Sequence, residues 1–219
     1  MMSDEGTFGD FSFQIRKTNG KAQDSYLWYQ DYIEDDGGWQ PGYWHHAQSG
    51  ADIGPDNDVK FVPGDGFWFT IGNDYGKIDG ALKNAGEAIV DAQSVAIRNG
   101  NKGIAVPVSF DVKLYAGKVR PTGYEDNEDM QSDEGTFGDF SFQILKTNGK
   151  ALVSYLWYQD YIEDDGGWQE GYWHCAQSGA DIGADNDVTL KAGQGLWFTV
   201  GNDYGTFENA TLEFPGIDE

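Results

Sequence analysis

Basic residues are scarce in this chain, which has 14 Lys and Arg against 37 Asp and Glu and a formal net charge of −23. Nucleic acids and anionic membrane surfaces are bound mainly through Lys and Arg, so this charge argues against both classes of partner. No run approaches the roughly 18 to 20 apolar residues of a membrane-spanning helix, and we expect no membrane insertion.

Cysteine is nearly absent as well. The single Cys175 has no partner for an intramolecular disulfide, and the sequence contains neither CxxC nor the Cys/His spacing of zinc sites. It also lacks GxSxG, HExxH, Walker and GxGxxG motifs, so no motif indicates an enzyme. The first ten residues have neither the basic nor the apolar region of a signal peptide, which predicts an intracellular protein or a piece of a longer one.

Repetition is the strongest feature that is present. Residues 3–76 align with residues 132–205 without a gap, and 61 of the 74 aligned positions are identical. Residues 77–131 occur once, between the two copies. The pattern predicts two tandem homologous modules joined by a unique segment. We expect one domain over residues 1–88 and a second, containing the unique segment and the second module, over residues 89–219.

Within each module the residue pattern is typical of β-strands. FSFQI alternates apolar and polar residues, Asn19-Gly20 favours a type I′ turn, and SYLWYQDYI follows as an aromatic strand. The unique segment adds the strand-like runs SVAIR and IAVPVSFDVKLYAG. We therefore predict an all-β fold of antiparallel modules, each sandwich-like or a rolled sheet. The turn would set three cross-strand pairs: Phe13–Tyr26, Phe11–Trp28 and Arg16–Gln23.

The differences between the copies cluster at one end of this hairpin. Arg16, Gln23 and Asp24 of the first copy correspond to Leu145, Leu152 and Val153 of the second. Burying leucines stabilises a fold, whereas burying unpaired Arg or Gln costs a comparable free energy. We therefore expect the unique segment to cover a patch around Leu145 and Leu152, while the corresponding surface of the first module stays exposed.

The strings PGDGFWFTIGN and AGQGLWFTVGN, together with GTFGDFSFQI, resemble repeated β-modules of uncharacterised secreted bacterial proteins, in which a Gly-x-Gly-Phe/Leu-Trp-Phe turn recurs. The resemblance covers most of both modules. It implies secretion, modularity and an array, and it brings no known activity.

Acidic clusters occur in both copies, in DYIEDDGGW and in the ADIGPDNDV and ADIGADNDV loops. Closely spaced carboxylates are ligands that Ca²⁺ prefers, so calcium is the one cofactor that the sequence would suit. The alternative is that these are solvated acidic turns that keep sheet edges from pairing. The candidate ligands are Asp31, Asp35, Asp56, Asp58, Asp160, Asp164, Asp185 and Asp187.

Aromatic residues lie between the two acidic clusters of each copy and could form flat platforms for sugar rings. Alternatively, these rings fill the core of a small sheet that has few Leu and Ile. The candidate ligand-binding residues are Trp39, Tyr43, Trp44, Trp168, Tyr172 and Trp173.

The function that these patterns favour is a non-catalytic structural or adhesive repeat of a bacterial extracellular or surface protein. It would associate with itself or with other repeats of a longer chain through unpaired strand edges. One alternative is a bivalent carbohydrate-binding module that recognises glycans through its Trp and Tyr platforms. The other is a glycan-active enzyme or its accessory domain, although 37 acidic residues make a suitably spaced carboxylate pair unavoidable by chance.

Overall fold

The structure, a computed structural model, describes residues 2–16, 22–76, 82, 87–145 and 150–217. Its sheets are antiparallel, which confirms the prediction of an all-β fold. Within the described residues, helix is confined to α1 (Glu128–Ser132) and to three 3₁₀ turns: Glu34–Asp36, Glu163–Asp165 and Ala184–Asn186. The predicted Asn19-Gly20 turn lies outside the described residues.

The chain forms two compact units. The first contains the described residues up to Val62 and those from Phe67 to Leu82. The second contains Pro63–Gly66 and the described residues from Glu87 onwards. The domain bounds predicted from the repeat, residues 1–88 and 89–219, stay a prediction.

The first unit has one six-stranded sheet in its described residues. Its strands are β1 (Gly6–Arg16), β2 (Ala22–Ile33), β3 (Gly38–Trp39), β4 (Tyr43–His46), β5 (Ala51–Asp52) and β6 (Phe67–Ile71). Their order is β5-β4-β2-β1-β6, with β3 paired to the end of β2. The chain turns into β3 through Gly37 and Gly38, whose φ angles of 89° and 97° favour glycine.

Twelve strands form the described part of the second unit. They are β7 (Gln93–Ala96), β8 (Gly100–Ala105), β9 (Val112–Lys113), β10 (Arg120–Thr122), β11 (Gly135–Leu145), β12 (Ala151–Ile162), β13 (Gly167–Trp168), β14 (Tyr172–Cys175), β15 (Ala180–Asp181), β16 (Thr189–Leu190), β17 (Gly195–Val200) and β18 (Thr211–Phe214). A seven-stranded sheet, β15-β14-β12-β11-β17-β8 with β13 on β12, repeats the order of the first unit and adds β8 beside β17. The other sheets are β10-β18-β7 and β16-β9.

The hairpin register agrees with the prediction at two of its three pairs, Phe13–Tyr26 and Phe11–Trp28. The third pair is wrong. Ile15 lies opposite Asp24 and Arg16 lies opposite Ala22, because a register shift between these two pairs leaves Gln23 as an extra residue.

The same shift in the second unit overturns the expectation of a covered patch around Leu145 and Leu152. Leu152 is 45% exposed, and Leu145, which pairs with Ala151, is only half-buried. Residue 152 is the extra residue of this irregularity, so its side chain does not follow the alternation that the prediction assumed.

A different pair explains part of the change between the copies. In the first unit, His46 Nε2 lies 3.3 Å from Asp24 Oδ1. The corresponding residues of the second unit are Cys175, which is buried, and Val153, which packs against the core. A polar cross-strand pair is thus replaced as a whole by an apolar one.

The main hydrophobic core lies in the second unit. It joins side chains of the seven-stranded sheet to those of the three-stranded sheet and of the unique segment, including Phe142, Leu196, Leu212, Phe214 and Val112. In the described part of the first unit, the buried large hydrophobic residues are Phe8, Phe13 and Tyr26. Two sheets of nearly identical sequence therefore differ in how much of their surface is covered.

Among the described residues, no helix has the length and apolar sequence required to cross a lipid bilayer.

Candidate functional site

An aromatic face lies on one side of the first sheet. Strand alternation directs Phe11, Phe13, Tyr26 and Trp28 to this side, and β4 adds Trp44 opposite Trp28. The Trp28 and Trp44 rings lie 5.2 Å apart and the Phe13 and Trp44 rings 4.7 Å apart, both edge to face. The corresponding centroid distances in the second unit are 5.1 and 4.8 Å, so the rings have the same arrangement there.

In the second unit, residues 119–125 of the unique segment cover this face. Trp173, which is 3% exposed, donates its indole N–H to the carbonyl oxygen of Val119 at 2.6 Å. Trp168 donates its indole N–H to the carbonyl oxygen of Glu125 at 2.9 Å. Both tryptophans are therefore held by backbone acceptors of the covering segment.

Tyr124 belongs to the same covering segment, and its side chain is 3% exposed. Its hydroxyl accepts a hydrogen bond from Trp157 Nε1 at 2.9 Å and donates one to Gln159 Oε1. Its ring lies 4.7 Å from Phe140 and 5.5 Å from Trp168. We call these four surrounding residues the tyrosine socket. Burial raises the pKa of the Tyr124 hydroxyl well above its ordinary value, although the Trp157 N–H opposes the shift.

The first unit has the same four residues at the corresponding positions: Phe11, Trp28, Gln30 and Trp39, here called the first-unit socket. Gln30 Nε2 donates to the carbonyl oxygen of Gln40 at 2.7 Å, as Gln159 does to Gln169 in the second unit at 2.5 Å. Trp39 is 38% exposed, and the other three side chains are half-buried.

The indole N–H groups of the first unit lack the acceptors of their counterparts. No residue in the described part of the chain accepts a hydrogen bond from Trp28, Trp39 or Trp44, whereas the corresponding three tryptophans of the second unit all donate to residues 119–125. The first unit thus presents a row of directed donors at a partly exposed aromatic surface.

The opposite end of the face differs between the units. In the first unit, Phe61 and Phe67 each lie 5.8 Å from Phe13 and are 48% and 42% exposed. Their counterparts Leu190 and Leu196 are completely buried. The larger rings of the first unit therefore shield Phe13. The four residues of the first-unit socket, in contrast, are identical to those of the second unit.

The tryptophans predicted as sugar platforms lie on these faces, whereas Tyr43 and Tyr172 pair with Tyr29 and Tyr158 on the opposite side of each sheet. In the first unit, Trp39 and Tyr43 are 38% and 37% exposed, and Trp44 is half-buried. In the second unit, Trp168 is half-buried and Trp173 is in the core. The two predicted platforms are therefore unequal in exposure, although their residues are identical.

Tyr172, the remaining platform residue, lies beside a cleft of about 240 Å³ in the second unit. The cleft is lined by Tyr115, Glu170 and Ile182, among others, and Tyr172 is 36% exposed. Desolvation raises the pKa of Tyr172 above its ordinary value, and the carboxylates of Asp181 and Asp160 raise it further. The cleft has both an aromatic wall and a carboxylate.

The aspartates predicted to bind calcium do not converge. Asp31 accepts a hydrogen bond from the Thr7 hydroxyl, and Asp187 accepts three from backbone N–H groups, at 2.7 to 3.1 Å. Within the described residues, no three Asp, Glu, His or Cys side chains are grouped so as to hold a metal ion. Calcium binding stays a prediction for Asp31, Asp35, Asp56, Asp58, Asp160, Asp164, Asp185 and Asp187.

A histidine–aspartate pair in each unit was missed by the sequence analysis. His45 Nδ1 lies 2.8 Å from Asp52 Oδ1, and His174 Nδ1 lies 2.8 Å from Asp181 Oδ1. The available signal was that both residues, seven apart, are retained in both copies. A catalytic pair of this kind needs a nucleophile at the other imidazole nitrogen, and no described residue hydrogen-bonds there. The pairs tie β4 to β5 and β14 to β15.

Comparison with known proteins identified no relative of this chain. No family model matches the chain, and neither a curated protein nor a solved structure matches it. The resemblance to secreted bacterial β-repeat proteins remains a prediction.

Proposed function

We propose that the chain is a non-catalytic structural module of a bacterial extracellular assembly, and that the aromatic face of its first unit docks another polypeptide. The observation that carries the proposal is the unequal covering of two nearly identical sheets. In the second unit, the unique segment supplies β8 beside β17 and residues 119–125 over the aromatic face. In the first unit, β6 pairs only with β1 among the described strands, and the face is partly exposed.

The amount of exposed apolar surface supports a docking role. Large contiguous apolar patches on a protein surface mark interaction sites, whereas scattered hydrophobic residues need no explanation. Five exposed large hydrophobic residues lie together on the aromatic face of the first unit. Phe61 and Phe67 contact Phe13, Ile71 lies opposite Phe11, and Trp39 and Tyr75 contact Phe8.

The number of covering segments per chain bears on which polypeptide covers the aromatic face of the first unit. Each chain has two aromatic faces and one copy of residues 77–131. If one copy of the chain gave its segment to another, its own second unit would lose its cover, so exchange leaves one exposed face per chain. The occupant is therefore a different polypeptide or another repeat of a longer protein.

Glycan binding by the first unit is a second candidate function, favoured by the exposure of Trp39 on the aromatic face. Only the first unit exposes its tryptophan in this way, so a glycan would bind at one site rather than two.

An extended chain tests the docking function. A second copy of residues 87–131 is placed directly before Ser3, in the position that the native segment has before Ser132. We expect backbone amides of β1 and β2 to exchange at least about tenfold more slowly, because a covered sheet opens less often. The control is an extension of the same composition in scrambled order.

Equal exchange with the native and scrambled extensions would contradict docking by this face. Titration of the unextended chain with soluble polysaccharides, followed by tryptophan fluorescence, tests the second candidate. Saturable quenching that is lost in Trp39→Ala would favour glycan binding instead.

A further inference from the structure

The tyrosine socket selects its occupant through hydrogen bonding. Trp157 Nε1 can only donate, and Gln159 Oε1 can only accept, so a group that bonds to both must accept and donate at one atom. A hydroxyl meets this requirement. The flanking rings of Phe140 and Trp168 require that the hydroxyl be carried on a flat apolar body. Tyrosine is the protein side chain that has both properties.

The first-unit socket also suits a hydroxyl that is carried on a flat apolar ring. The hydrogen bond from Gln30 Nε2 to Gln40 fixes the amide, so its Oε1 atom is the end left to accept from an occupant. Trp28 supplies the donor. The Trp39 ring lies 5.2 Å from Tyr32, and the corresponding distance in the second unit is 5.1 Å, so this wall is held in the same place in both units.

We propose that the first unit binds a tyrosine side chain of a partner polypeptide in the socket formed by Phe11, Trp28, Gln30 and Trp39. The proposal rests on the docking function above and specifies its partner. The tyrosine ring lies against Phe11 and Trp39, and its hydroxyl bonds to Trp28 and Gln30.

The neighbouring donors add a requirement on the partner's backbone. In the second unit, Trp168 donates to the carbonyl of the residue that follows Tyr124, and Trp173 donates to the carbonyl of Val119, five residues before it. Trp39 and Trp44 offer the same donors in the first unit. The partner segment must therefore adopt a conformation that directs the carbonyls five residues before and one residue after its tyrosine to Trp44 and Trp39, as the segment VRPTGYE does in the second unit.

The proposed partner resembles the covering segment of the second unit at one end of the aromatic face and differs from it at the other. Phe61 and Phe67 shield Phe13 in the first unit, where the second unit has the buried Leu190 and Leu196. The partner therefore need not copy the whole unique segment. It shares the tyrosine and the two carbonyls, and its contacts near Phe13 differ.

A synthetic peptide tests the proposal on the complete chain. The probe is the blocked peptide GKVRPTGYEDNEDMQ, which corresponds to residues 117–131, used at high salt to screen the repulsion between acidic molecules. Calorimetric titration is expected to give one site per chain, with slower amide exchange in β1 and β2. Replacing the peptide's tyrosine by phenylalanine is expected to weaken binding at least tenfold.

Matched variants of the chain locate the site. Gln30→Leu is expected to weaken peptide binding at least tenfold, whereas Gln159→Leu leaves it unchanged. Equal affinity for the tyrosine and phenylalanine peptides, or a loss of binding in Gln159→Leu alone, would overturn the proposal. So would failure of both peptides to bind at millimolar concentration. If the extended chain described above is still protected in that case, docking stands without tyrosine recognition.

Discussion

The twin tryptophans Trp44 and Trp173 allow one substitution to be made in two environments. Trp173 is 3% exposed and donates to the carbonyl of Val119, whereas Trp44 is half-buried and no described residue accepts from it. Phenylalanine buries roughly 40 Å² less apolar surface than tryptophan, which is about 1 kcal/mol. A buried carbonyl left without its donor adds about 1 to 3 kcal/mol. Trp173→Phe should therefore destabilise the second unit by about 2 to 4 kcal/mol.

Trp44→Phe loses only part of the packing energy and no hydrogen bond to a described residue, so its effect on the first unit should be below about 1 kcal/mol. Urea unfolding, with amide exchange of β4 and β14 measured separately, distinguishes the two units. At a typical urea dependence, the midpoint of the second unit should fall by about 1 to 2 M in Trp173→Phe. Equal shifts in the two variants, or a larger one in Trp44→Phe, would refute the reasoning that residues 119–125 hold Trp173.

Burial raises the pKa of Tyr124, so the folded second unit disfavours the ionised form. The contribution of Tyr124 to the free energy of unfolding is fully present below the unfolded pKa of about 10 and is lost as pH rises above it. The urea midpoint of this unit should therefore fall between pH 8 and pH 11, and fall less in Tyr124→Phe. A methyl group added in Gly171→Ala would clash with the Trp157 ring, and we expect a loss of about 1 to 3 kcal/mol in thermal or urea melts, against a smaller loss in Gly42→Ala, where the tryptophan is less enclosed. Leu152→Gln should change the stability of the second unit by less than about 0.5 kcal/mol, because Leu152 is exposed. With a net charge of −23, the chain should melt at a higher temperature as sodium chloride is raised, and calcium chloride at matched ionic strength should add nothing if the acidic turns are only screened.

Local patterns were sufficient to predict the all-β class and most of the register of the β1–β2 hairpin. The Phe13–Tyr26 pair follows from alternation and a two-residue turn, both of which are written within a few residues. The shift after Ile15 was not predictable in this way. An extra residue in one strand leaves the apolar pattern before it unchanged, so Gln23 was assigned to a pair that the sheet does not form.

The candidate site could be predicted only in composition. Trp44 and Trp173 occur in the nearly identical strings YWHH and YWHC, yet Trp44 is half-buried and Trp173 lies in the core. The segment that covers Trp173 is about fifty residues away in the chain, so the local sequence does not reveal this difference. A weak signal was available. Phe61 and Phe67 become Leu190 and Leu196 in the second copy, and smaller aliphatic residues fit where a covering layer takes up space.

Each chain has two aromatic faces and one covering segment, so its two units are not equivalent. The face of its second unit is covered by residues 119–125, whereas the corresponding face of its first unit is partly exposed. Under the docking function proposed above, residues 119–125 are used on one of the two faces, so the other face depends on a polypeptide of different origin or on a further repeat. If the tyrosine recognition proposed above holds, the fraction of first units that are occupied is set by the supply of the tyrosine-bearing partner.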